Sequence, residues 1–447
     1  NRSLSGLVSA LSYSATTYSA FMMVGLVGFT YAFGVGSAGF ELVYLVGAVT
    51  IMATLGAKMW ELGRRRGYVT PAELLSDIYG NRWVGAAYTL ICLVVLVPYV
   101  SVQMMGMGYL VEGLSGGIFP YEAGALLAAM VAVAWSLWAG LRSVAWTDSL
   151  QAAVMLGSSI ALLGYVLHAW FGGLGGFLKG LEEHPELLKV PGTGWPFEKF
   201  LGLTVPWFFF ALTNPQVSQR HFVPRGWREF KAMVLGHAVF GLAYTVIVTL
   251  LGLSARLVVP GLSRADEAMP AMLALVPAPL ALLVFIGVFS AAVTTVDSIM
   301  LTLSSMTARD LYKAGAGEVE EVVEVVVGKV AVLFVACAGF AFSLLRPGLI
   351  VELSVASAAC LVSCAPAFID ALTARSGCAE AAASSMLVGA ALAAGLQAAK
   401  LKPLGFWPGV WSLLVASLVF TVLSWLKSRR RARWERSTLS VSIPSAR

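Results

Sequence analysis

Twelve long apolar runs, separated by short polar connections, dominate this sequence and leave room for little besides membrane helices. They centre on about 5–35, 40–60, 84–111, 121–140, 145–171, 200–219, 233–256, 272–306, 328–346, 350–373, 380–399 and 406–426. A bilayer core of about 30 Å is crossed by a helix of about 20 residues, so each run is long enough to span it. Continuous runs argue against a transmembrane barrel, whose strands alternate over about ten residues. Charged residues make up 12% of the chain, with a mean hydropathy of +0.82, where soluble domains carry about 25% charge. That leaves too little polar surface to coat a water-exposed globule and excludes a conventional soluble enzyme. The first run is too long for a cleavable signal and is followed by further spans instead of a processing site.

The remaining composition narrows the class further. Cys92, Cys337, Cys360, Cys364 and Cys378 form no CxxC pair, and the four histidines are scattered, so neither a disulfide framework nor a zinc site is expected. The net charge of +6 sits in short connections and in the tail KSRRRARWER, which reads as a lipid-facing anchor and not as a nucleic-acid patch. With both termini placed in the cytoplasm, 22 of the 30 Lys and Arg residues fall on the cytoplasmic side, as the positive-inside rule requires. The longest outer connection, 172–199, contains LKGLEEHPELLK, a candidate surface helix.

Three places depart from ordinary Leu, Val and Ala spans. The first run, Ser3 to Phe40, exceeds one crossing and concentrates hydroxyls in SALSYSATTYSAF: Ser9, Ser12, Ser14, Thr16, Thr17 and Ser19. Such a face lines either a polar cavity or a close helix contact. In the sixth run Pro206 and Pro215 bracket aromatic residues, and each removes a backbone donor, so carbonyls between them are expected to be released. In the eighth, Thr294 and Thr295 lie one turn after Ala291 and just before Asp297, an acid in mid-span that is functional by default. Irregular first and sixth spans, five helices apart, point to an inverted-repeat transporter with a midplane site. A hard cation such as sodium wants carbonyl, hydroxyl and carboxylate oxygens, which the first and eighth spans together supply. A channel would need a continuous ring of polar groups instead.

At these residues the chain resembles the sodium:solute symporter family. RSLSGLVSALSYSATTYSAFMMVGLVG resembles its first core helix, GYVTPAELLSDIYGNR its intracellular loop, GLRSVAWTDSLQ the start of core helix five, and SAAVTTVDSIMLTLSSMTARDLYK core helix eight. The resemblance implies an all-α polytopic membrane protein of about twelve transmembrane helices, with a 5+5 inverted-repeat core and discontinuous helices one and six. It implies a core over 1–373 (repeats about 3–171 and 200–373), two further helices over 374–426 and a basic cytoplasmic tail over 427–447. It further implies a sodium site from the carbonyls of Ala15, Tyr18 and Ala291 and the hydroxyls of Thr294 and Thr295. Asp148 matches an acid tied either to a second cation site or to sodium affinity, and a solvated role at the span end stays open for it. The solute site is expected among Ser19, Phe21, Gln103, Trp207, Phe210, Asn214 and Pro215.

Two departures from the family pattern stand out. The family usually begins with an extra helix ahead of the core, and this sequence opens on the first core helix. Thr17 stands where proline-type members carry an aspartate, while Asp297 lies outside the pattern and either compensates for that acid or couples protons. The resulting reading is a sodium-coupled symporter of the plasma membrane that imports a small organic solute, such as an amino acid, a monocarboxylate or a pantothenate-like acid. The alternatives are proton coupling through Asp297 or Asp148 and, more remotely, a transporter-like sensor. No HExxH, GxSxG or facing catalytic acids suggest an enzyme. The sequence leaves the solute and the oligomeric state open.

Overall fold

A computed structural model describes residues 4–138, 141–191, 194–317 and 320–441. Residues 1–3, the end of the 121–140 run and residues 442–447 of the basic tail lie outside the described residues. Among the described residues the chain is helical, and an isolated bridge joins Leu4 to Pro224. Among those described residues, nine helices are long and apolar enough to cross a membrane: Gly36–Arg66, Arg82–Leu114, Ala145–Phe171, Trp227–Val258, Ala278–Ala316, Glu321–Leu344, Ile350–Leu372, Ala379–Ala398 and Pro408–Arg429. The pair Gly6–Thr17 and Phe21–Phe33, bent by 54°, makes a tenth when counted as one span. The fourth run forms a shorter apolar helix, Tyr121–Leu137, and the sixth a chain of short segments.

The first span breaks where no proline or glycine stands. Tyr18 turns extended (φ −90°, ψ 98°), and its N–H donates back to the Ser14 carbonyl at 2.7 Å. Beyond it, the Ala20 N–H donates to Gln103 Oε1 of the third span at 3.1 Å, and the Phe21 N–H donates to Ser19 Oγ at 3.1 Å. Two backbone donors that a helix start leaves without a partner are thus met by side chains, which permits a break in an apolar surrounding.

In the sixth run the outcome differs from the expected pair of proline breaks. Pro206 lies inside the helix Phe197–Phe208, and the interruptions fall at Phe209 (ψ 0°) and Asn214 (ψ 118°). Pro215 opens the next short helix, where its missing N–H deprives no carbonyl. The Thr213 carbonyl beside that break accepts a hydrogen bond from Tyr88 Oη of the third span at 2.9 Å.

Two stretches from distant parts of the chain meet at one end of the eighth span. The helix Pro71–Ile78 starts with a capping box in which Thr70 Oγ1 accepts the Glu73 N–H and Glu73 caps Thr70 in return. Thr70 Oγ1 also donates to Asp310 at 2.7 Å, and Arg309 pairs with Glu73 at 2.8 Å. A cavity of about 770 Å³ opens beside them, lined by Arg66, Tyr68, Asp77, Arg82 and Lys313 among others. Of the candidate surface helix only 178–182 is α-helical, as the end of a helix Leu174–Glu182 that buries Phe177 and Leu181; a short turn Pro185–Leu187 follows.

The connection between Val258 and Ala278 is fastened by Asp266. Its Oδ2 accepts the Ile350 N–H at 3.0 Å, capping the start of Ile350–Leu372. Burial pushes this carboxyl up to about 7, against the opposing pull of the Ile350 bond. The unfolded chain ionises near about 3.9, so between those values the folded state holds the extra proton and this contribution to docking falls as pH rises. Amide exchange of residues 262–276 is therefore expected to speed up relative to the rest of the chain as pH climbs through that window, after correction for intrinsic exchange. Asp266→Asn, which keeps an acceptor, should flatten the trend.

Candidate functional site

A helix that ends at Thr17 leaves its last carbonyls without helical donors. Ser14 gives its carbonyl to Tyr18, so those of Ala15 and Thr16 are free to face the eighth span. There Thr294 Oγ1 lies 3.1 Å from the Ala15 carbonyl and 3.0 Å from that of Ala291, while Thr295 Oγ1 lies 3.3 Å from the Thr16 carbonyl. Ala15, Ala291, Thr294 and Thr295 are all fully buried. Four of the five residues expected at a sodium site are thus brought together, and Tyr18 stands at the extended end of the same turn. Thr16, which sequence reasoning passed over as a carbonyl donor, joins them. The group brings hard oxygen atoms together, the donor chemistry that alkali and alkaline-earth cations select.

One turn along the eighth span is a buried charge cluster. Asp148 of the fifth span is fully buried and accepts hydrogen bonds from Ser12 Oγ and Arg220 Nη2, both at 2.9 Å. The solvated reading of Asp148 therefore falls. Arg220 Nη2 also lies 2.7 Å from Ser298 Oγ, which in turn lies 3.2 Å from Thr16 Oγ1. Asp297 is fully buried beside this pair, close enough for both Asp148 and Arg220 to act on its charge, and its oxygens complete no hydrogen bond of ordinary geometry. Arg220 lies just past the apolar run over 200–219, where a polar connection is expected, yet it is 3% exposed and ties the first, fifth, sixth and eighth spans together.

The residues expected around a solute divide into three groups. Phe21, Trp207 and Phe210 form one aromatic cluster, with Trp207 centred 5.2 Å from Phe21 and 4.8 Å from Phe210. Phe40 and Tyr44 of the second span close on Trp207 at 5.6 and 6.0 Å. Ser19 and Gln103 each spend an oxygen on backbone N–H groups of the broken first span. Asn214 and Pro215 mark the second interruption of the sixth run, where both polar atoms of the buried Asn214 side chain lack a partner.

A family model described as Sodium:solute symporter family matches residues 1–389. The chain belongs to the sodium:solute symporter family. It is 27% identical over 441 residues to the sodium/pantothenate symporter of Escherichia coli K12, covering 94% of this chain and 88% of that protein. It is 26% identical over 324 residues to the sodium/pantothenate symporter of Haemophilus influenzae, covering 71% of this chain and 66% of that one. Among solved structures it resembles the substrate-bound, outward-open state of a Na+-coupled sialic acid symporter, with a TM-score of 0.78 at 14% identity over 95% of this chain and 90% of that chain. A nucleobase-cation-symport-1 family transporter in a closed conformation follows, at a TM-score of 0.61 and 13% identity over 96% and 94%. At these identities the likeness carries the fold, an inverted-repeat transporter architecture.

As a member of this family the protein is a sodium-coupled symporter of a small organic solute, a membrane transporter and not an enzyme, with sodium as its coupling ion. Against that background one further residue stands out in the symporter. Glu41, 1% exposed, accepts a hydrogen bond from Trp207 Nε1 at 3.1 Å inside the aromatic cluster. It lies at the edge of a run read as uncharged, and the signal that finds it is the cost of a carboxylate among apolar neighbours in a membrane span.

Proposed function

We propose that this symporter binds sodium among the carbonyls of Ala15, Tyr18 and Ala291 and the hydroxyls of Thr294 and Thr295, and takes up a small carboxylate-bearing solute beside Trp207. The observation that carries the reading is the meeting of the first-span carbonyls of Ala15 and Thr16 with Thr294 and Thr295 at 3.1 and 3.3 Å. A cation held there draws the first and eighth spans together and favours one state of the transporter over the other, so the solute and the ion assist each other's binding. Transport then follows from alternation of repeat one (about 3–171) and repeat two (about 200–373) about this point. The helices over 374–426 and the basic tail complete a plasma-membrane protein with both termini cytoplasmic, in keeping with the skew of Lys and Arg.

Pantothenate heads the solute classes, because the relative matched over 94% of this chain is a sodium/pantothenate symporter. Proline and other amino acids follow, with monocarboxylates beside them. The aromatic faces of Phe21, Trp207 and Phe210 suit an aliphatic body, and the broken helix end with its cation suits a carboxylate. The deciding experiment is a thermal-shift screen of the purified protein against pantothenate, proline and short monocarboxylates, with sodium or with choline. A ligand of the folded state raises the melting temperature, and the expected result is a shift by pantothenate in sodium alone. A shift of equal size in choline would end the sodium-coupled reading.

A second reading, proton coupling, is favoured by one observation, the buried Asp297 carboxylate whose oxygens complete no hydrogen bond of ordinary geometry. Under sodium coupling, Asp297→Asn leaves the sodium dependence of uptake intact and abolishes no proton flux. Loss of solute-driven proton entry in that variant would reverse the choice.

A further inference from the structure

Where the first span meets the second, the seventh and the end of the sixth, five polar aromatic side chains form one buried group. Tyr13, Tyr18, Tyr44, His221 and His237 are none of them more than 1% exposed. Tyr13 lies 4.6 Å from His237 and 5.8 Å from His221 between ring centroids. Tyr18 stacks on His237 at 5.4 Å, and Tyr44 closes the group at 6.0 Å from Tyr18 and 6.3 Å from His237.

Three buried or partly buried tyrosines elsewhere in this protein give their hydroxyl to a carbonyl, while that of Tyr244, centred 5.8 Å from Tyr18, completes no hydrogen bond of ordinary geometry. Tyr88 donates to Thr213, Tyr121 to Ser343, each at 2.9 Å, and Tyr31 to Val259 at 2.8 Å. In this group the hydroxyls of Tyr13 and Tyr18 and Nε2 of His237 have no protein partner. The Tyr44 hydroxyl and the ring nitrogens of His221 complete no hydrogen bond of ordinary geometry either. Leaving that many buried polar atoms unmet opposes folding, and native proteins meet such groups with ordered water that makes about three hydrogen bonds. The five side chains bring phenol and imidazole groups that both donate and accept, with no carboxylate among them. That set suits neutral water better than a cation.

We propose that these side chains enclose ordered water, a second internal polar compartment beside the break in the first span, and that His237 is a positioning residue linking it to that break. The link is the contact of His237 Nδ1 with Ser14 Oγ at 3.0 Å. Ser14 is also the residue whose carbonyl receives the Tyr18 N–H, so His237 holds the last closed turn before the free carbonyls of Ala15 and Thr16. Rotation of that turn would swing both carbonyls away from Thr294 and Thr295. Water on the other polar tips lets the first span shift against the second and seventh by exchanging mobile partners instead of breaking fixed ones.

The water itself is tested by radiolytic hydroxyl-radical footprinting of the full chain in detergent, read by mass spectrometry, because radicals born from bound water oxidise the side chains they touch. Tyr13, Tyr18 and His237 are expected to oxidise several-fold faster than Tyr88 and Tyr121, which are buried to a similar degree. Equal rates would overturn the compartment. The positioning role rests on the sodium site proposed above and is tested separately by uptake. His237→Phe keeps the ring and removes its nitrogens, and it should raise the half-saturating sodium concentration several-fold at an unchanged maximal rate. His237→Asn, which restores a polar contact to Ser14, should recover part of the loss. Unchanged sodium dependence in His237→Phe would overturn the role of His237. The footprint does not involve sodium, so failure of the ion site alone leaves the predicted labelling in place.

Discussion

Arg220→Met is expected to destabilise the folded transporter by about 3–5 kcal/mol, because it strands the Asp148 carboxylate in a site from which water is excluded. The pair draws on hydrogen bonds from Ser12 and to Ser298, so the loss reaches four spans at once. A buried ion pair need not exceed an apolar substitute in net stability, whereas breaking it from one side is costly. Adding Asp148→Asn to Arg220→Met should therefore recover much of the lost stability, since the double variant no longer buries the Asp148 charge without its partner. Thermal unfolding of the purified variants in detergent checks both statements. A melting temperature for Arg220→Met equal to that of the parent would show that the pair bears no structural weight. Failure of the double variant to improve on the single one would show that Arg220 acts through packing.

The second large effect concerns the hydroxyls of the eighth span. Thr294→Ala and Thr295→Ala each remove an oxygen that faces a first-span carbonyl, and each is expected to weaken sodium binding by about 1–3 kcal/mol, roughly five- to 150-fold in affinity. Uptake measured against sodium concentration should show the half-saturation point moving upward. Solute affinity should recover at saturating sodium, because linkage couples the two ligands through one shared state. Serine at either position keeps the hydroxyl and should lie near the parent. Unchanged sodium dependence in both alanine variants would remove the ion from this place.

Much of this arrangement was legible in the residues because membrane burial makes polarity conspicuous. The hydroxyl-rich first run, Thr294 and Thr295, and Pro215 all stood out against apolar neighbours, and the helices break or converge at each of them. The position of the first break was not legible. It rests on Gln103, a side chain 83 residues away that accepts the Ala20 N–H, and no local signal at Tyr18 announces it. Gln103 itself was read as a solute contact, although one of its atoms is committed to the backbone. Pro206 misled in the opposite sense, since the helix tolerates it and yields at Phe209 instead. Glu41 and Arg220 escaped for a shared reason. Each lies near the end of a run, where a charge is ordinarily assigned to water, and only the packing of other spans over it reveals the burial.

The clasp of Thr70 and Glu73 on Asp310 and Arg309 gives the eighth span a mechanical role beyond its hydroxyls. From Thr294 to Asp310 the helix continues for 16 residues, α-helical to Met306 and then in a wider π turn from Thr307, about 24 Å at most at about 1.5 Å per residue. With sodium held as proposed, one end feels the ion and the other grips a peripheral loop, so a tilt of an ångström or two at the first is delivered at the second without any relay of side chains between them.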